Sequence, residues 1–303
     1  MQRHAIFAVI AAAALFGTTG TAQALGPDGT SVWMVGTIRI ALGALTLWLF
    51  ALITRQQQAV IDRSAVVLVA IGGCGAAIYQ PAFFAGVEQC GVAIGTVIAL
   101  GSGPMFAGFI DKVVRKQQLG TRWYVGTTTM LLGVAVLVAA SRDTTGTTQL
   151  SVTGVLCALA AGLGYAMYAQ ATGSLIERKL PSTTALALQF SVAAIVLTPF
   201  MLIDVASSTA PSWIWSGSGV VMLLHLGVLT AGVAYVLYGW GLRTLPVSTA
   251  VSITLVEPLT AAGSAFLLLG ERLSATGGAA TIIVLVGLVV LTVTGRASGA
   301  ATQ

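Results

Sequence analysis

The sequence predicts an all-α integral membrane protein of ten transmembrane helices in two inverted five-helix repeats. Three observations predict it: a composition that water does not hold in solution, ten apolar runs of spanning length, and a weak internal repeat whose period covers five of those runs. The chain has 303 residues, of which 56% are hydrophobic and 8% charged, with a mean hydropathy of +0.94. A soluble domain carries about 25% charged residues, so soluble enzymes, secreted disulfide scaffolds, disordered regulators and nucleic-acid-binding domains are excluded. Cys74, Cys90 and Cys157 are isolated, with no CxxC, and imply no disulfide framework. Neither His4 nor His225 has a second His, Cys or carboxylate at ligand spacing, so no metal and no cofactor is expected.

A hydrocarbon core about 30 Å thick takes about 20 apolar residues in a helix, because lipid forces each backbone polar group to be satisfied within its own segment. Ten segments meet that length: residues 5–24, 32–53, 65–85, 91–110, 123–140, 152–172, 184–203, 219–239, 247–269 and 276–295. Charges, Pro and Gly mark the connectors, as in Gly26-Pro27-Asp28-Gly29 and Arg142-Asp143-Thr144-Thr145-Gly146. Arg3, the apolar run Ala5–Leu15 and Ala22-Gln23-Ala24 imitate a cleavable signal peptide. An uncleaved first helix is the better reading, because Gly17-Thr18-Thr19-Gly20 suits helix packing and cleavage would spoil the repeat.

Lys and Arg accumulate in cytoplasmic loops. With the N-terminus inside, Arg3, Arg55, Arg63, Lys112, Arg115, Lys116, Arg122, Arg178, Lys179, Arg243 and Arg296 fall inside, against Arg142 and Arg272 outside. Both termini are therefore expected in the cytoplasm, in a multi-pass protein of the inner (cytoplasmic) membrane.

Laying residues 79–142 on 233–296 with a constant shift of 154 puts Pro104 on Pro258, Leu119 on Leu273, Gly133 on Gly287, Leu137 on Leu291 and Arg142 on Arg296. Gly162-Leu163-Gly164-Tyr165 opens the second half as the first span opens the first. The division expected is 1–148 and 149–303, each with five spans. Because five is odd, homologous halves enter the membrane with opposite orientations, an architecture recurrent in secondary transporters.

The segment Leu255-Val256-Glu257-Pro258-Leu259-Thr260, continuing to Leu269-Gly270-Glu271-Arg272-Leu273, resembles the hallmark of EamA-type members of the drug/metabolite transporter superfamily. The five-plus-five plan and the intramembrane Arg39 are also similar to that family, so the resemblance covers essentially the whole chain. It implies a ten-helix bundle that exports amino acids or other small metabolites. The first half departs from the pattern: Gly103-Pro104 has the proline without the carboxylate, and Gln117 stands in place of Glu271.

Glu257 is the leading candidate, since a carboxylate inside an apolar span is costly and faces a cavity or a partner. Pro258 and Pro104 are expected helix breaks. Pro258 would free the carbonyl near Thr254 and set Glu257 at the positive end of a half-helix. Glu257 then binds a proton or substrate, or caps the broken helix. Arg39, about 10 Å inside its span, would hold a carboxylate of substrate or of Glu257 bidentately, or snorkel to the interface. Tyr79 and Gln80 beside Pro81, Tyr165, Tyr168, Gln170, Gln189, His225, Tyr235, Tyr238 and Trp240 form a weaker set for a substrate path, with packing or an interfacial belt as the alternative. The shift pairs Gln80 with Ala234 and Pro81 with Tyr235, in corresponding helices three and eight. A stripe of Gly91, Gly95, Ala99 and Gly103 suits a tight helix seam.

No P-loop, HExxH or GxSxG occurs, so the expected function is a secondary transporter and not an enzyme. It would export small metabolites, amino acids first, by alternating access, as a proton antiporter. A facilitator or importer of other solutes is the alternative, with a membrane enzyme or a channel further behind. The expected partners are a small-molecule substrate, protons and the lipid bilayer, with a second copy of the chain in a homodimer as a further candidate and no nucleic acid.

Overall fold

A computed structural model describes residues 2–55, 62–114, 116, 118–140, 151–207, 212–241, 253–254, 256–271 and 274–293, which are helical with short connectors and contain no strand. The helices are α1 (Gln2–Gly17), α2 (Thr19–Ala24), α3 (Val32–Ile53), α4 (Arg63–Cys90), α5 (Val92–Val114), α6 (Thr121–Ala140), α7 (Val152–Glu177), α8 (Ser182–Ser207), α9 (Gly217–Leu224), a π-helical segment (His225–Val233), α10 (Ala234–Gly241), α11 (Val256–Leu269) and α12 (Ala275–Val293). Seven stretches among the described residues are long and apolar enough to cross a membrane: Arg3–Ala24, Val32–Ile53, Arg63–Cys90, Val92–Val114, Val152–Glu177, Ser182–Ala206 and Gly217–Gly241. Three shorter apolar helices, Trp123–Val136, Val256–Leu269 and Ala275–Val290, stand where the fifth, ninth and tenth runs are expected. The chain is an all-helical, multi-pass membrane protein.

Helix starts follow local side-chain chemistry. Ser31, Asp62, Ser151 and Ser216 each accept a backbone N–H of the first turn of α3, α4, α7 and α9, satisfying a donor that has no partner within the helix. The Asp62 carboxyl is held below the usual carboxylate range, first by the Ala65 N–H, then by the Ser64 hydroxyl and with a smaller share from Arg178.

The expected first span is present as one apolar stretch, Arg3–Ala24, divided into α1 and α2 by a turn at Thr18, whose hydroxyl donates to the Leu15 carbonyl at 2.7 Å. Three local expectations are corrected. Gly91 is not part of the fourth span: its φ of +80° places it in the turn between α4 and α5. Pro104 does not break α5, which runs continuously through it, since a proline removes one hydrogen bond that neighbouring groups in a membrane bundle can replace. A helix begins at Val256 and holds Glu257 in its first turn, at the positive end as expected, with Pro258 beside it where an N–H would have no helical partner in any case; the Thr254 carbonyl, however, is not freed, since it accepts the Glu257 N–H at 2.9 Å. Residues 247–252 and 255 of the ninth run lie outside the described residues.

Contacts fix the helix directions. Trp33 stacks on Phe200 and Trp48 donates to Ser191, so α3 and α8 are antiparallel. Gly133 faces Ala280 and Val284 while Gly287 faces Gly126 and Met130, so α6 and α12 are antiparallel as well. By the same reasoning α4 is antiparallel to α7, where Gly75 meets Gly164 and Gly86 meets Ala158, and α5 is parallel to α7, where Ala99 meets Gly162 and Gly103 meets Tyr165. α1 is packed into the bundle against α10 and α11, with Ala5, Val9 and Ala12 buried.

Lipid gives apolar side chains little reason to leave it, so helix association rests on close packing. Glycines provide it: a Cβ on Gly164 would sit 2.5 Å from the Gly75 carbonyl oxygen and 2.8 Å from the Tyr79 nitrogen, whereas a Cβ on Gly173 of the same helix meets nothing within 4 Å. Gly164→Ala is therefore expected to destabilise by about 1–3 kcal/mol, and Gly173→Ala to be neutral or to stabilise by up to about 1 kcal/mol. Thermal unfolding in detergent checks the pair, and equal melting temperatures would contradict the seam.

Candidate functional site

The best-defined polar centre is built around Arg39. α3 starts at Val32, so seven residues carry Arg39 about 10 Å from that end of the helix. Gly36, one turn earlier, leaves room for Gln80 of α4, whose Cβ would lie 3.0 Å from a Cβ at that glycine. Arg39 Nη1 donates to Gln80 Oε1 at 2.7 Å, and Nη2 donates to Thr230 Oγ1 of the π segment at 3.4 Å. Its Cζ lies 5.6 Å from the centroid of the Phe84 ring, in cation–π range. Arg39 is 4% exposed, so it does not snorkel. It makes no ion pair with Glu257 within 4.0 Å; each terminal nitrogen donates one of its two N–H groups to a neutral partner and keeps the other. Its Nε is buried without a partner.

The π segment is what brings Thr230 there. Gly227 and Gly232 both lie against α3, at Leu42 and Thr46. A spacing of five residues on one face matches the i→i+5 ladder of a π-helix, a form that concentrates at functional sites. That spacing is the one sequence signal for this element, and Thr230, Phe84 and Thr18 are site residues the sequence reading did not single out.

Beside Arg39 lies an aromatic group from α4, α7, α8 and α10. Tyr79 is 6.4 Å from Tyr165 and 6.0 Å from Tyr168, centroid to centroid, and Tyr165 is 5.2 Å from Tyr168. The Tyr168 and Tyr235 hydroxyls are 2.7 Å apart, and Tyr235 packs edge-on against Phe16 and Phe190. Glu257, half-buried in the first turn of α11, is within electrostatic range of Arg39, Tyr79, Tyr165, Tyr235 and Tyr238. Its turn rests on bare Gly17, where a Cβ would come 2.5 Å from the Glu257 carbonyl oxygen.

The remaining candidates sit at the margins. His225 Nε2 is 2.8 Å from the Thr18 hydroxyl, tying the π segment to the break between α1 and α2. Tyr238 packs on Ala5 and Val9 of α1. Gln189, fully buried, pairs with Thr172, and Gln170 donates to the Ala107 carbonyl. Among the described residues no group of three His, Cys, Asp or Glu could hold a metal.

Glu271 has a defined structural task. Its Oε1 accepts the Val92 N–H at 2.8 Å and its Oε2 the Ala93 N–H at 3.2 Å, so the carboxylate following α11 caps α5, a favourable place for negative charge. Gly270, at φ +68°, supplies the turn.

The EamA-like transporter family model matches residues 3–139 and again 152–293. The chain belongs to the EamA-like transporter family. It is thereby a member of the drug/metabolite transporter superfamily and a membrane transporter, not an enzyme. Among its relatives, the "Uncharacterized transporter YwfM" of Bacillus subtilis (strain 168) is 34% identical over 289 residues, covering 95% of this chain and 93% of that protein. A solved structure described as "Crystal structure of protein" superposes with a TM-score of 0.63 at 19% identity, covering 95% of this chain and 96% of the other, a likeness of fold.

In this EamA-like transporter the Glu271 clasp joins the end of one crossing to the start of another. Glu271→Ala is expected to cost about 1 kcal/mol, as for loss of a helix N-cap, seen as faster amide exchange at Val92 and Ala93. Unchanged protection of both amides would contradict the clasp.

Proposed function

We propose that this chain is a secondary transporter of the inner membrane that exports small metabolites, amino acids being the first class to test, in exchange for protons. Two five-helix halves, 1–148 and 149–303, of opposite orientation alternate access to a central site. The observation that carries the reading is the site's composition: a buried arginine, a carboxylate and four tyrosines meet between helices of both halves. Arg39 offers hydrogen-bond donors to a substrate carboxylate, Glu257 offers a carboxylate to an ammonium group or a proton, and Tyr79, Tyr165, Tyr168 and Tyr235 form the apolar wall with polar tips.

Several features support opposed halves. The antiparallel pairs α3 with α8 and α6 with α12 join crossings five apart in the ten-span count. Gly133 and Gly287, 154 residues apart, face partners that are themselves 154 residues apart. The left-handed backbone of Lys116, at φ +53°, recurs 154 residues on at Gly270, and the family match is double. Access that alternates between two such halves is the working principle of many secondary transporters. Both termini are placed in the cytoplasm on the distribution of basic residues.

The direct test is counterflow of labelled amino acids by purified protein in liposomes, with and without a pH gradient; saturable, gradient-sensitive exchange is expected. Glu257→Gln is expected to remove the response to the gradient while the protein stays folded, and an unchanged pH dependence would refute the proton role. Arg39→Lys is expected to raise KM for carboxylate substrates about tenfold or more through loss of the planar fork, whereas equal KM would take Arg39 out of the site. A facilitator is the second reading, favoured by the absence of a carboxylate at Gly103, the first-half counterpart of Glu257. Exchange indifferent to the gradient would select it.

A further inference from the structure

Gln189 is fully buried, yet its hydrogen bonding is incomplete. The Thr172 hydroxyl lies 2.8 Å from the Tyr168 carbonyl oxygen and 3.1 Å from Gln189 Oε1, but it has one proton and donates to only one of them. If the proton goes to Gln189, Nε2 is left with no partner. If it goes to Tyr168, the amide turns its N–H toward Thr172 and leaves its carbonyl oxygen unpaired. In both orientations one end of a buried amide lacks a protein partner, a deficit that native structures reserve for water, ligand or strain.

The surroundings are built for this amide. A Cβ on Gly72 would lie 2.4–2.7 Å from the three amide atoms Cδ, Nε2 and Oε1, so α4 leaves the space bare. Gly72 is seven residues, two turns, from Tyr79 on α4, and Thr172 is one turn beyond Tyr168 on α7. Phe190, the next residue on α8, packs against Tyr168 and Tyr235. Gln189 therefore borders the tyrosine group on the side away from Arg39. The register repeats as well: Arg39 is seven residues into α3 and Gln189 seven residues into α8, and these helices are antiparallel. Their contacts on α4, Gln80 and Gly72, are eight residues apart, about 12 Å along the axis.

We infer that Gln189 is a second substrate-binding group, the inward counterpart of Arg39, whose free amide end hydrogen-bonds the polar end of the solute between the tyrosine group and the cytoplasmic side. The inference rests on the transport reading above and deepens it: the path holds a charged group toward one face and a neutral one toward the other, so the two faces bind solute unequally.

Two variants test it. Gln189→Cys, in a chain with Cys74→Ala, Cys90→Ala and Cys157→Ala, is expected to react with a membrane-impermeant methanethiosulfonate reagent applied to the cytoplasmic face. This readout needs no knowledge of the substrate. Protection from the reagent on both faces would overturn the inference while leaving the transport reading intact. Gln189→Leu removes the unpaired amide at similar volume, so the melting temperature should hold or rise. For the labelled amino acid that wild-type protein exchanges fastest, KM at the cytoplasmic face should rise about tenfold, with KM at the outer face unchanged. A fall in melting temperature with both KM values unchanged would make Gln189 a packing residue and overturn the inference. Absence of amino-acid exchange by wild-type protein would overturn the amino-acid reading itself, a failure distinct from either result.

Discussion

The rest of the central architecture is arranged around a guanidinium that has been taken out of water. In a lipid-embedded bundle the cost of an unsolvated charge is several kcal/mol, and here three neutral groups from two helical elements meet it: the Gln80 amide and the Phe84 ring face of α4, and the Thr230 hydroxyl of the π segment. Each partner imposes a condition on its own element. Gln80 reaches Arg39 because Gly36 has no side chain, and Thr230 reaches it because His225–Val233 is wound as a π-helix whose glycines let it lie on α3. Among the described residues, neutral groups alone hydrogen-bond Arg39, and Glu257 lies within its electrostatic range without an ion pair; the proposed role in holding a substrate carboxylate draws on that arrangement.

The same need for close approach explains the bundle as a whole. Seams at Gly75–Gly164, Gly133–Val284 and Gly287–Met130 bring backbones into contact where lipid offers no hydrophobic drive for association. α6 and α12 meet through Gly133 and Gly287, and α3 meets α8 at the other antiparallel junction.

Most of the helices are legible in the sequence, because lipid demands uninterrupted apolar runs and the chain writes them plainly. Arg39 and Glu257 are legible for the same reason, as charges where charge is costly. What is not legible is either local geometry with several solutions or contact between distant residues. Pro104 and Pro258 look alike in sequence, yet one is absorbed inside α5 and the other sits in a first turn where it costs nothing. The turn at Thr18 divides an apolar stretch that reads as unbroken in sequence. Glu271 stands 179 positions from the Val92 amide it caps, and Thr230 is 191 positions from Arg39; neither separation leaves a trace in a single sequence.

The central claim is that two opposed halves open the two faces in turn. It is tested most directly by spin-label distances across both mouths, with Asp28→Cys and Trp215→Cys on the outer side and Arg55→Cys and Lys179→Cys on the inner side, in protein reconstituted at two pH values and with saturating solute. Under an exchange of halves these pairs map onto each other. The account requires that conditions lengthening one distance shorten the other. Distances that stay fixed, or that change together in one direction, would contradict alternating access in this chain.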